Sequence, residues 1–129
     1  MSSNDPFKII GDNQVPEKKG LPVMEEDKTG ELKDRIERLI NSANVFLFMK
    51  GEPNTPQCGF SANVIEILNR MSCTYRTFDI LTDPDIRQGV KEYANWPTFP
   101  QLWVKGQLVG GNDIVAEMYQ SGDLEKVLS

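Results

Sequence analysis

Val45-Phe46-Leu47-Phe48-Met49 is an unbroken run of apolar, β-favouring residues with no position left to face water. A strand of that kind is buried on both faces, so it needs a sheet with helices on each side and normally lies at the centre of that sheet. The flanking patterns supply the helices. From Glu31 onward, Leu32, Ile36, Leu39 and Ile40 recur at the spacing of one apolar stripe on a helix. After the strand, a loop over Lys50 to Gln57 precedes Phe60, Val64, Ile67, Leu68 and Met71, which again fall on one helical face. Cys58 therefore stands at a strand–loop–helix junction.

Further along, Thr74 to Leu81, with Tyr75, Phe78 and Ile80, reads as a second strand. Asp83-Pro84 reads as an N-cap and first-turn proline for a helix that turns Ile86, Val90, Tyr93 and Ala94 to one side. Gln101 to Val104 and Gln107 to Gly110 flank Lys105-Gly106 as a hairpin with a two-residue turn. Asn112 is expected to cap a helix carrying Ile114, Val115, Met118 and Tyr119, broken at Ser121-Gly122 before a last turn through Leu124, Val127 and Leu128. This order predicts an α/β domain of thioredoxin fold: a four-stranded mixed sheet flanked by helices on both faces, joined by right-handed crossovers. A chain of 129 residues has room for one such core. The domain is placed at residues 29–129. Residues 1–28 show no apolar period, carry several prolines and glycines, and read as a disordered N-terminal extension.

Composition narrows the chemistry. A formal charge of -5 has the wrong sign for tracking phosphates, which disfavours a nucleic-acid partner. No apolar run is long enough to span a membrane. With no histidine, Ser-His-Asp triads, Cys-His pairs and histidine-containing zinc sites are excluded. Two cysteines are too few for a zinc cage or a stapled scaffold, and the natural setting is a reducing intracellular compartment, cytoplasmic or mitochondrial.

Within those bounds, Cys58 is the candidate nucleophile. Helix-opening amides favour its thiolate, and so does a nearby lysine if Lys50, at the end of the central strand, folds back toward it. Ser61 occupies the position where a dithiol oxidoreductase carries its second cysteine, so local intramolecular resolution of a mixed disulfide is removed. Cys73 does not replace it. The intervening helix is about 18 Å long at 1.5 Å per residue, whereas a disulfide needs Cα atoms within about 7 Å; Cys73 reads as packing at a strand start, with an intermolecular disulfide as the minor alternative. Trp96-Pro97-Thr98-Phe99-Pro100 directly before a strand makes Pro100 a candidate cis-proline. Gly110-Gly111-Asn112-Asp113 brings a helix start, and its amides, to where a small anion would sit. Arg87 and Lys91, four apart on the third helix, read by themselves as a solvated face.

Taken in order, Phe48-Met49-Lys50-Gly51, Cys58-Gly59-Phe60-Ser61, Trp96-Pro97-Thr98-Phe99-Pro100-Gln101-Leu102 and Gly110-Gly111-Asn112-Asp113-Ile114 resemble the monothiol glutaredoxins with a Cys-Gly-Phe-Ser active site, over about Glu31 to Leu128. The resemblance implies that Lys50, Arg87, Phe99, Asn112 and Asp113 hold glutathione. The basic groups face its glycine carboxylate, and Asp113 with the helix amides faces its γ-glutamyl end. It also implies that Cys58 is a ligand of a glutathione-ligated [2Fe-2S] cluster shared between two protomers of an otherwise monomeric protein. Acceptor proteins and a BolA-like protein are the implied partners. The alternative is a glutathione-dependent thiol–disulfide oxidoreductase. Asn112 departs from many relatives, which carry another cysteine there.

Overall fold

The structure, a computed structural model, describes residues 26–129. Helix α1 (Leu32–Ile40) leads into strand β1 (Val45–Met49), and a short hairpin of β2 (Gly51–Glu52) and β3 (Thr55–Pro56) precedes helix α2 (Gly59–Arg70). Strand β4 (Arg76–Asp79), a 3-10 turn (Ile80–Thr82) and helix α3 (Pro84–Ala94) follow, then β5 (Gln101–Val104), β6 (Gln107–Gly110), α4 (Asn112–Ser121) and α5 (Asp123–Leu128). The main sheet has the order β4-β1-β5-β6, with β4 parallel to β1 and both other pairings antiparallel. The expected mixed sheet of a thioredoxin fold is the one observed.

All of β1 is buried, and its side chains alternate between two cores. Val45, Leu47 and Met49 pack with Val64, Leu68, Val115 and Leu124 from α2, α4 and α5. Phe46 and Phe48 face the other way, with Ile36, Leu39, Ile86 and Val90 from α1 and α3. Burial of one such side chain contributes about 1.5–3 kcal/mol, and a domain's net stability is only about 5–15 kcal/mol. Helices on both faces are therefore required for this strand to stay out of water.

Several local expectations change. The second strand is shorter than Thr74 to Leu81: Ile80 and Leu81 wind into the 3-10 turn, where Asp79 accepts a hydrogen bond from the Leu81 N–H at 2.9 Å. Asn112 is not the cap of α4. Gly111 holds that position without a side-chain hydrogen bond, and Asn112 is the first helical residue. Phe60 and Tyr93 match their helical stripes in spacing but are 63% and 41% exposed. Other details stand as expected: Asp83 caps α3 by accepting from the Asp85 and Ile86 N–H groups, Phe99-Pro100 is cis, and Lys105 and Gly106 both have positive φ in the hairpin turn. The expected extension lies outside the described residues except for Glu26, Asp27 and Lys28. Glu26 is paired with Arg35 at 2.9 Å, and the Asp27 carbonyl accepts from Arg38.

Candidate functional site

Cys58 is the N-cap of α2. Its backbone is extended, and its Sγ accepts a hydrogen bond from the Ser61 N–H at 3.4 Å. Sulfur thus stands where a serine or aspartate oxygen usually satisfies the first amides of a helix, a place that favours negative charge. The Ser61 hydroxyl is fully buried and lies 3.7 Å from Sγ. The thiol donates to it; once ionised, the sulfur accepts from it instead. Burial pushes the Cys58 thiol up, but the Ser61 N–H and hydroxyl, the Phe60 N–H and the Lys50 charge together outweigh that and hold it below its ordinary value. A partly exposed, readily ionised thiol results.

Lys50 is kept beside the cysteine by its own backbone. Its N–H donates to Ser61 Oγ at 3.1 Å, its carbonyl accepts from Gln57 at 2.8 Å, and the next N–H, of Gly51, donates to Asp79 Oδ1 at 2.9 Å. Gly51 has φ +92°, and a Cβ there would lie 2.6 Å from the Thr55 carbonyl oxygen, so only glycine closes this turn. The loop expected over Lys50 to Gln57 is thus a tight β2–β3 hairpin, pinned at both ends.

Next to this arrangement lies a groove of about 240 Å³. Phe60 forms one wall, Trp96 and Thr98 to Pro100 another, and Gly111 to Ile114 at the start of α4 the third. Because α4 has no side-chain cap, its first-turn N–H groups have no intrahelical acceptor and are available to an anion in the groove. Trp96 Nε1 is buried without a hydrogen-bond partner among the described residues, close to Gly111. Of the residues singled out in the sequence, Phe99, Asn112 and Asp113 line the groove; Cys58 and Lys50 are not among its lining residues, Cys58 standing two residues before the wall residue Phe60. Arg87, half-buried on α3, is not among its lining residues. Cys73 lies beyond the far end of α2, donates to the Leu68 carbonyl at 3.6 Å and packs on the core; neither cysteine is in a disulfide.

The structure adds Phe60, Trp96, Thr98 and Ile114 as groove walls and Ser61 as a partner of the thiol. All five lie inside the motifs already noted. Their presence there was the only signal, since apolar spacing assigns Phe60 to the core.

Comparison with known proteins identifies relatives of this chain. The family profile described as Glutaredoxin matches residues 45–109. The chain is 54% identical over 103 residues to Monothiol glutaredoxin-S17 of Arabidopsis thaliana, covering 78% of this chain but only 21% of the plant protein. It is 52% identical over 98 residues to a monothiol glutaredoxin ycf64-like protein of Synechocystis sp., covering 76% of this chain and 92% of that one. The solution structure of reduced poplar apo GrxS14 matches with a TM-score of 0.67 at 45% identity, over 74% of this chain and 87% of that one.

Proposed function

We propose that this chain, which belongs to the glutaredoxin family and to its monothiol branch, binds glutathione in the groove and with it carries a [2Fe-2S] cluster as cargo for acceptor proteins. One observation carries the reading. Cys58, an ionisable and partly exposed thiol, stands beside a groove that ends on an uncapped helix start, and a serine replaces the resolving cysteine.

The donor chemistry fits a shared cluster. Four thiolates hold a [2Fe-2S] unit. The sequence has two cysteines, so one chain does not supply four thiolates. Cys58 from each of two copies and one glutathione sulfur from each complete it. In this reading the α4 amides with Asn112 and Asp113 hold the γ-glutamyl end. The backbone beside Phe99-Pro100 aligns the tripeptide like an added strand, and Lys50 and Arg87 face the glycine carboxylate. A BolA-like protein and cluster acceptors are the proposed partners, in a reducing compartment that keeps Cys58 out of disulfides.

The lowered titration of Cys58 favours a second reading, glutathione-dependent thiol–disulfide exchange. There the Cys58 thiolate attacks the glutathione sulfur of a mixed disulfide and releases the other thiolate. A second glutathione thiolate then attacks the Cys58–glutathione disulfide, giving glutathione disulfide and regenerating Cys58.

Anaerobic reconstitution with iron, sulfide and glutathione separates the two. A coloured dimer by visible absorption, circular dichroism and size-exclusion mass is expected, requiring glutathione and lost in Cys58→Ser. A colourless monomer from the parent chain overturns the carrier reading, and rapid turnover in a glutathione-reductase-coupled assay puts exchange in its place.

A further inference from the structure

We propose that Asn63 is a positioning residue: it holds the Asn112 amide where Asp113 sets its direction and thereby keeps the donor pattern of the groove. The inference rests on the glutathione reading above. Asn63 Nδ2 donates to Asn112 Oδ1 at 2.7 Å, and Asn112 Nδ2 donates to Asp113 Oδ1 at 3.4 Å. An amide turned over by 180° occupies the same space, so its partners decide its direction. An ionised Asp113 only accepts. Asn112 therefore presents its NH₂ to Asp113 and leaves Oδ1 for α2, and Asn63 is left to supply the NH₂ that meets it.

The longer contact to Asp113 is the weaker of the two by distance, but it has the fixed polarity; the shorter contact from Asn63 holds the Asn112 side chain where that contact can form. Asn63 itself lies outside the groove, whereas Asn112 and Asp113 line it. The bond ties the second turn of α2 to the first residue of α4, 49 residues apart in sequence. These are the two helices whose starts carry the thiol and the free amides. Held this way, Asn112 adds an N–H donor to the amides of α4 for the γ-glutamyl α-carboxylate. Released from Asn63, the side chain is held by the longer contact alone and is free to swing that donor away from the carboxylate.

The test is calorimetric titration of glutathione into the full chain and its variants. Asn63→Asp places an acceptor where Asn112 needs a donor, and affinity should fall about tenfold, the size of one charge-assisted hydrogen bond. Asn63→Ala should lose about threefold, and Asn63→Gln, which keeps an amide donor, should stay within about twofold of the parent. The discriminating ligand is γ-aminobutyryl-cysteinylglycine, which lacks only the α-carboxylate. It should bind the parent more weakly than glutathione does, yet lose nothing further in Asn63→Ala, which brings no charge of its own. Equal glutathione affinity of parent and Asn63→Asp, or the same loss with both ligands in Asn63→Ala, overturns the positioning role alone. If Asn63→Asp does not fold, Asn63→Ala still carries the comparison between the two ligands. No glutathione binding by the parent overturns the functional reading and this one with it.

Discussion

Ser61 shows how one hydroxyl serves two neighbours. Its oxygen accepts from the Lys50 N–H while its proton is available to the Cys58 sulfur, so it joins the end of β1 to the start of α2. Ser61→Ala leaves the backbone amide on the sulfur but removes the hydroxyl, and leaves the Lys50 N–H without that acceptor. The Cys58 titration should therefore move up and the thiolate fraction at neutral pH should fall. Measured as iodoacetamide alkylation against pH, the midpoint rises and the rate at pH 7 drops several-fold. An unmoved midpoint would assign the lowering to the backbone amides and Lys50 without the hydroxyl.

At the scale of elements, the clearest dependence is that of α3 on its cap. Asp83 accepts from two backbone N–H groups and also pairs with Arg35 at 2.7 Å, where both side chains are largely buried. Arg35 in turn holds Glu26, so one guanidinium joins α1, the start of α3 and the residues preceding α1. Loss of an N-cap costs about 0.5–2 kcal/mol, and leaving a part-buried charge with one partner fewer adds to it. Asp83→Ala should therefore lower unfolding free energy by roughly 2–3 kcal/mol in urea denaturation. Burial pushes the Asp83 carboxyl up, but Arg35 and the two amides hold it below the usual carboxylate range. A depressed folded value means the contribution is present at neutral pH and is lost as pH falls through that value. Between neutral and strongly acidic pH, Asp83→Asn should lose less stability than the parent does.

For the molecule as a whole, Tyr75 sets an alkaline limit. It is 1% exposed, just ahead of β4, and its hydroxyl donates to Asn69 Oδ1 at 2.8 Å. Burial, with Cys73 nearby, pushes its titration up to about 12. The unfolded chain releases that proton near pH 10, so the fold binds more protons than the unfolded state in this window and its stability falls as pH rises. The loss should be on the order of 2 kcal/mol between pH 10 and 12. Tyr75→Phe, compared with the parent by denaturant unfolding at pH 8 and pH 11, should remove most of this slope; an identical slope would place the alkaline loss elsewhere. No described helix is long and apolar enough to cross a membrane.

The sequence by itself determined the layered fold and the place of the thiol. An apolar run with no wettable face compels a central strand, and the cap, proline and turn residues act within a few positions of themselves. Cys58 at a helix start, the cis peptide before β5 and the Lys105-Gly106 turn were legible for that reason. The groove was not, because its walls come from residue 60, residues 96–100 and residues 111–114, brought together only when the sheet and helices pack. Phe60 fits the buried stripe by spacing, yet in the first turn of α2 it meets the groove. Asn112 fits a cap by type, yet the chain enters α4 through Gly111 and turns that amide to Asn63. Local patterns specify which elements form; which side chains face one another across them depends on where each element ends against its neighbours, and that is decided by tertiary packing.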